Sequence, residues 1–165
     1  MEDYLEHAYR LRAAGHPFVI ASVVRAERPT SAKPGATAIV TADGQLTGWV
    51  GGSCAAPTVI REALRALQDG QPVLLRMGPP DLANPAVSGH GETSGVIERA
   101  MTCISGGTLD IYLEPHLAQP LLVAISHLPI AEALASLGKG LGYAVTVAGL
   151  DATPERFPQA DRVLN

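Results

Sequence analysis

Apolar residues recur along the chain in short blocks whose spacing alternates between the helical and the extended type. Three segments carry an apolar residue at every third or fourth position, and this spacing predicts helices over 2–14, 57–69 and 130–141. Blocks rich in β-branched residues, or alternating apolar with polar residues, predict strands. The predicted strands are 18–24, 36–41, 45–50, 72–77, 108–114, 121–125 and 144–148. Segment 96–102 is compatible with either a short helix or a strand.

The order of these elements predicts an α/β protein with two parts. Residues 1–116 form an N-terminal mixed α/β domain, and residues 117–165 form a single partial Rossmann-like βαβ unit followed by a short polar tail. One βαβ unit cannot bury a parallel sheet alone. It is therefore expected to pack on the first domain, to pair with another chain, or to belong to a truncated second domain. Its exposed sheet edge favours a homo-oligomer, most simply a dimer.

Composition narrows the function classes. The chain has 165 residues, of which 47% are hydrophobic and 17% charged, so it is expected to fold around a core. A net charge of −4, the absence of a basic run and 4% aromatic residues argue against a nucleic-acid partner. No apolar run reaches the roughly 18 residues that would span a membrane, and the charged N-terminal segment does not resemble a signal peptide. We therefore expect a cytoplasmic protein whose cysteines are thiols rather than a structural disulfide.

Both cysteines lie beside paired glycines, in Gly51-Gly52-Ser53-Cys54 and in Cys103-Ile104-Ser105-Gly106-Gly107. Glycine lets the backbone approach a ligand closely, and consecutive free N–H groups bind anions. Cys54 also precedes a predicted helix, whose positive end would lower a thiol pKa and attract phosphate. Two alternatives stay open at this point: each cysteine is a small buried apolar residue, or the two form a redox-active disulfide.

Three further features carry candidate chemistry. The Gly- and Pro-rich segment 78–95 is long enough for a functional flap, on which His90 is either an acid–base group or a solvated side chain. Arg25, Arg28 and Lys33 share the loop after the first predicted strand. They either meet a phosphate or keep that loop soluble.

The predicted βαβ unit raises the question of a dinucleotide. Such a site needs glycines between strand and helix and an acidic residue at the end of the second strand. The turn 124–129 contains no glycine, and Asp151 comes about three residues late for the ribose position. The sequence therefore predicts a Rossmann-like unit to which NAD(P) is not expected to bind.

Two segments carry a family resemblance, GWVGGSCAAPTVIREAL over 48–64 and MTCISGGTLDIYLEP over 101–115. Together with KPGATAIVTADG over 33–44 and the βαβ unit that follows, they resemble the XdhC/CoxI family. Its members are accessory proteins of xanthine dehydrogenase and aerobic carbon monoxide dehydrogenase. The resemblance implies a chaperone that binds the molybdenum cofactor, protects it during sulfuration and delivers it to a molybdenum hydroxylase.

The resemblance also implies a set of cofactor-binding residues and partners. The cofactor is molybdopterin, in its plain or its cytosine dinucleotide form, and Cys54 and Cys103 are the candidate molybdenum contacts. The partners are the target hydroxylase and a cysteine desulfurase. The implied cofactor-binding residues are Gly51, Gly52, Ser53, Cys54, Cys103, Gly106 and Gly107.

Three function classes follow from these observations. The first is a cofactor carrier that is not itself an enzyme. The second is a thiol-dependent sulfur-transfer or redox protein that uses Cys54 and Cys103. The third, an NAD(P)-dependent oxidoreductase, is disfavoured by the glycine-free turn.

Overall fold

The computed structural model describes residues 3–79, 95–101, 107–126 and 128–165. The chain divides into two compact units, Met1–Ala118 and Gln119–Asn165. The boundary predicted between residues 116 and 117 lies two residues before this division. The elements in chain order are α1 (Tyr4–Ala13), β1 (Phe18–Glu27), β2 (Thr37–Thr41), β3 (Leu46–Gly48), α2 (Ala56–Asp69), β4 (Val73–Gly78), β5 (Val96–Ala100), β6 (Thr108–His116), β7 (Leu121–Ile125), α3 (Pro129–Gly140), β8 (Ala144–Ala148) and β9 (Arg162–Leu164).

The first unit contains a six-stranded sheet in the order β3-β2-β1-β6-β4-β5. All neighbouring strands are antiparallel except β4 and β5, which run parallel. The long pair β1–β6 forms the centre of the sheet and runs from Phe18 opposite His116 to Glu27 opposite Thr108. A bulge between Val23 and Arg25 shifts its register, which increases the local twist.

The core of this unit lies between the sheet and α2. Alternate strand residues such as Ile111 and Leu113 point to the same buried cluster as Val59 and Ala63 of α2. This alternation places one face of each strand in the core, as the period-2 pattern of 108–114 predicts. Gly70 ends α2 in a left-handed conformation, as expected for a helix C-terminus.

The second unit is a three-stranded parallel sheet in the order β7-β8-β9 with α3 packed on it. The helix turns small residues toward the sheet: Ala131, Ala135 and Gly138 are buried. A Cβ at Gly138 would lie 2.4 Å from Cδ2 of Leu122, so this glycine permits the close approach of the helix to the sheet. Leu122 packs against this core, but most of the other large apolar residues of α3 and β7 are exposed; these are Ile130, Leu134, Leu137, Leu121, Val123 and Ile125.

The predicted fold class is confirmed, since a mixed α/β unit precedes a Rossmann-like βαβ unit. Of segment 96–102 the structure describes residues 96–101, and residues 96–100 form β5 beside β4. The prediction of a polar tail is wrong in part, because residues 162–164 add a third strand to the second sheet. Three residues are too few for a periodic signal, and β9 owes its extended form to pairing with β8. No helix in the described ranges is long and apolar enough to cross a membrane.

Candidate functional site

A pocket of about 550 Å³ lies in the first unit where the loop after β1 meets the loop before α2. This volume falls within the roughly 300–1,000 Å³ that is typical of small-molecule sites. We call it the Arg28–Cys54 pocket. Among the described residues it is lined by Arg28, Pro29, Thr30, Ser31, Gly52, Cys54, Ala55, Met101 and Leu109.

The sheet brings these loops together. Strand β1 ends at Glu27, so its following loop begins at the first pocket residue, Arg28. Because Glu27 pairs with Thr108, this loop lies at the end of the sheet where β6 starts and contributes Leu109. The first strand and the sixth therefore place a polar loop and an apolar side chain against the same pocket.

The loop before α2 forms the other side of the pocket. The carbonyl of Gly52 accepts hydrogen bonds from the N–H groups of Ala55 (3.0 Å) and Ala56 (3.4 Å), which turns the chain into the helix. Ala55 at the helix N-cap supplies no capping side chain, and the first turn contains a proline. Since Ala55 lines the pocket, the positive end of the α2 dipole lies at its wall and favours a negatively charged ligand group.

The loop after β1 supplies positive charge and hydroxyl groups. Arg28 is exposed and makes no hydrogen bond or ion pair to any residue that the structure describes. Arg25, in contrast, pairs with Glu27, and Lys33 does not line the pocket. The structure therefore separates the three basic residues that the sequence left equivalent, and it places Arg28 at the pocket.

The remaining wall is apolar. Ala55 and Leu109 are buried in the core at 2% exposure, and Met101 is buried at 8%. Together with Pro29 they give the pocket an apolar surface next to a charged one. Such a lining suits a ligand with a flat ring system and an anionic group.

The predicted glycines have different roles. Gly51 is buried and adopts a φ of 148°, and its added Cβ would lie 3.1 Å from Cβ of Ala55. Gly52 lines the pocket, and an added Cβ there would meet nothing within 4 Å. A Cβ on Gly107 would lie 2.3 Å from the carbonyl oxygen of Pro29 and 2.8 Å from that of Glu27. Gly107 thus acts as a packing glycine behind the pocket loop.

The remaining predicted residues divide between the described and the undescribed parts of the chain. Ser53 is exposed and is not among the pocket-lining residues. Cys103, Gly106 and His90 lie outside the described residues, as do residues 80–94 of the predicted flap. Within the described ranges, no group of three or more His, Cys, Asp or Glu side chains is arranged to hold a metal ion.

Cys54 lines the pocket and is half-buried. The expectation that it is a free thiol is wrong for this structure, in which Cys54 is disulfide-bonded. A disulfide sulfur is neither a thiolate nucleophile nor a strong metal ligand, so either role requires prior reduction.

The apolar wall of the Arg28–Cys54 pocket was not predicted from the sequence. Leu109 belongs to a strand whose alternation turns residues 109, 111 and 113 inward, so its burial was predictable but its place at the pocket was not. Met101 follows β5, a segment whose secondary structure the sequence left undecided. Both residues reach the pocket through strand pairing between distant parts of the chain.

Comparison with known proteins supports the resemblance stated from the motifs. Residues 11–78 match the XdhC and CoxI family. The chain is 28% identical over 161 residues to the uncharacterized protein YqeB of Escherichia coli (strain K12). The match covers 96% of this chain but only 27% of that relative, so the chain spans about a quarter of its length.

A solved structure described as a xanthine dehydrogenase from Bacillus halodurans aligns with a TM-score of 0.47 and 15% sequence identity. The alignment covers 98% of this chain and 68% of that chain. Both pocket loops, 28–31 and 51–54, lie inside the segment that matches the family. The match of residues 11–78 to the XdhC and CoxI family agrees with the resemblance that the motif at 48–64 indicated.

Proposed function

We propose that this chain binds the molybdenum cofactor in the Arg28–Cys54 pocket and delivers it to a molybdenum hydroxylase of the xanthine dehydrogenase or carbon monoxide dehydrogenase type. One observation carries the proposal. A pocket of small-molecule size combines a cationic side chain, an apolar wall and a cysteine sulfur, and its two main loops lie within the family segment.

The lining fits the three chemical parts of the cofactor. The terminal phosphate is matched by the Arg28 guanidinium and by the hydroxyl groups of Thr30 and Ser31. The pterin ring is matched by the apolar wall. When reduced, Cys54 offers a soft sulfur ligand of the type that suits a metal–dithiolene centre.

The proposed role is that of a carrier, and it assigns no catalytic residue. A carrier must release its cargo, which favours binding by a few exposed groups over a closed cage. Three of the lining residues are exposed, and these are Arg28, Ser31 and Gly52. Two predicted partners, a cysteine desulfurase and a second copy of this chain, remain predictions.

Replacing Ser31 by tryptophan tests the proposal. The indole side chain would fill the mouth of the pocket from an exposed position, so cofactor loading is expected to fall at least about tenfold relative to wild type. The chain is expressed in a host that makes the cofactor, purified, and assayed for molybdenum and for pterin fluorescence after oxidation.

Lys33→Trp is the matched control, because Lys33 is exposed in the same loop but does not line the pocket. This variant is expected to load as wild type does. Folded wild-type protein that carries neither molybdenum nor pterin would refute the proposal. If Ser31→Trp and wild type load equal amounts of cofactor, the cofactor does not bind in this pocket.

A second candidate function is thiol–disulfide exchange, which the disulfide bond of Cys54 at the pocket favours. In this step a substrate thiolate attacks the disulfide, a mixed disulfide forms, and the other sulfur leaves as a thiolate. Cys54→Ser separates the two candidates. Cofactor loading that drops in this variant supports a sulfur contact with the cargo. Unchanged loading, with loss of the ability to oxidise a small dithiol, supports exchange.

A further inference from the structure

We infer that Arg28 is the phosphate anchor of the pocket and makes the site selective for phosphorylated pterins over unphosphorylated ones. The inference rests on the proposed function and adds to it the group that recognises one end of the ligand. Arg28 differs from its basic neighbours in two ways. It lines the pocket, and it has no hydrogen-bond or ion-pair partner among the described residues.

The neighbouring basic residues do not fit this role. Arg25 lies on β1, hydrogen-bonds to Glu27 and stands opposite Asp110 in the β1–β6 pair. The carboxylate of Glu27 thus offsets its charge locally. Lys33 belongs to the same loop as Arg28 but is absent from the pocket lining. Of these three basic residues, Arg28 is the one that lines the pocket and has no ion-pair partner among the described residues.

The surroundings of Arg28 suit an anion. Ser31 and Thr30 place two hydroxyl groups on the same lining, and the N-terminal end of α2 adds its positive dipole at Ala55. The whole chain carries a net charge of −4 and would repel an anion at long range. A phosphate must therefore be attracted by this local arrangement of charge.

The loop that carries Arg28 is held in place on both sides. The N–H of Ala32 donates to Oγ1 of Thr30 at 3.2 Å, and Ala32 is itself buried. On the preceding side, the carbonyl oxygen of Glu27 would lie 2.8 Å from a Cβ at Gly107, so the backbone there leaves no room for a side chain. A loop fixed before binding loses little conformational entropy on binding, so a single charged contact contributes more to affinity.

The experiment compares two fluorescent probes, 6-hydroxymethylpterin and its phosphate ester, in titrations of the full chain. Wild type is expected to bind the phosphate ester about tenfold or more tightly than the alcohol, as is typical of a hydrogen-bonded charge pair. Arg28→Ala is expected to remove this preference, because the phosphate then loses its charged partner. Arg28→Lys keeps the charge and is expected to retain part of the preference.

Arg25→Ala and Lys33→Ala are the matched controls and are expected to keep the wild-type preference. Thermal melts of each variant establish that it is folded. Equal binding of the two pterins by wild type, or an unchanged preference in Arg28→Ala, would overturn the inference and leave the proposed function standing. If neither pterin binds to folded wild type, the proposed function fails together with it. Inorganic phosphate that competes with the ester but not with the alcohol would further support the anchor.

Discussion

Replacing Gly107 by alanine is expected to destabilise the first unit by about 3 kcal/mol and to abolish ligand binding in the Arg28–Cys54 pocket. The new Cβ would lie 2.3 Å from the carbonyl oxygen of Pro29 and 2.8 Å from that of Glu27. Both contacts are with backbone atoms, so no side-chain rotation relieves them. The loop that carries Arg28 must move away from the sheet, and the pocket lining moves with it.

Gly52→Ala is the matched control for this substitution. Gly52 lines the same pocket, but an added Cβ meets nothing within 4 Å and its φ is not positive. Its free energy of unfolding is expected to stay within about 0.5 kcal/mol of wild type. Urea unfolding followed by circular dichroism measures both variants. A Gly107→Ala protein as stable as Gly52→Ala would show that the loop is not held by this contact.

The contrast between these glycines shows what the sequence can and cannot predict about the site. Both belong to the cysteine motifs from which a ligand-binding role was inferred, and the sequence alone does not distinguish them. A glycine that admits a ligand and one that admits a neighbouring backbone differ only in what lies opposite them, which is a tertiary property. Gly52 lines the pocket as predicted, whereas Gly107 faces Pro29.

Most of the regular structure, in contrast, follows from local patterns. Strands β7 and β8 have the predicted limits, and the Asp43-Gly44 turn joins β2 to β3 with a positive φ at Gly44. These elements carry strong periodicity or specific turn residues. β5 contains two charged residues in five, Glu98 and Arg99, and only its pairing with β4 makes it a strand.

Glu62 is the clearest case of a residue whose role the sequence does not show. It lies within the predicted helix 57–69, where a glutamate is expected to face solvent, yet it is buried at 1% exposure. Its carboxylate receives hydrogen bonds from Arg99 on β5 at 2.9 and 3.4 Å, and from Arg61 and Arg65 on its own helix. The pair Glu62–Arg99 thus links α2 to the edge strand of the sheet.

Glu62→Gln is expected to destabilise the first unit by about 3–5 kcal/mol, the usual cost of removing one partner of a buried ion pair. The glutamine retains the shape of the side chain but takes from the Arg99 guanidinium, which is 17% exposed, the carboxylate with which it pairs among the described residues. Glu27→Gln is the matched control in the same unit. Its side chain is half exposed in an ion pair with Arg25, and its loss is expected to cost at most about 1 kcal/mol.

The same residue predicts how stability depends on pH. Burial alone would raise the pKa of Glu62, but hydrogen bonds from Arg99 and Arg61 and the charges of Arg99 and Arg65 outweigh it, so the pKa lies below 4.5. A carboxylate with a lowered folded-state pKa stabilises the protein fully above its unfolded pKa. That contribution is lost as the pH falls from about 4.5 through the folded pKa.

Urea unfolding between roughly pH 6 and pH 3 tests this dependence. Wild type is expected to lose stability steeply in the acid part of this range, and Glu62→Gln is expected to lose less, because its side chain does not titrate. The difference between the two proteins should therefore shrink as the pH falls. A difference that stays constant down to pH 3 would mean that Glu62 has the same pKa in the folded and the unfolded protein, and that its hydrogen bonds with Arg99 and Arg61 do not lower it.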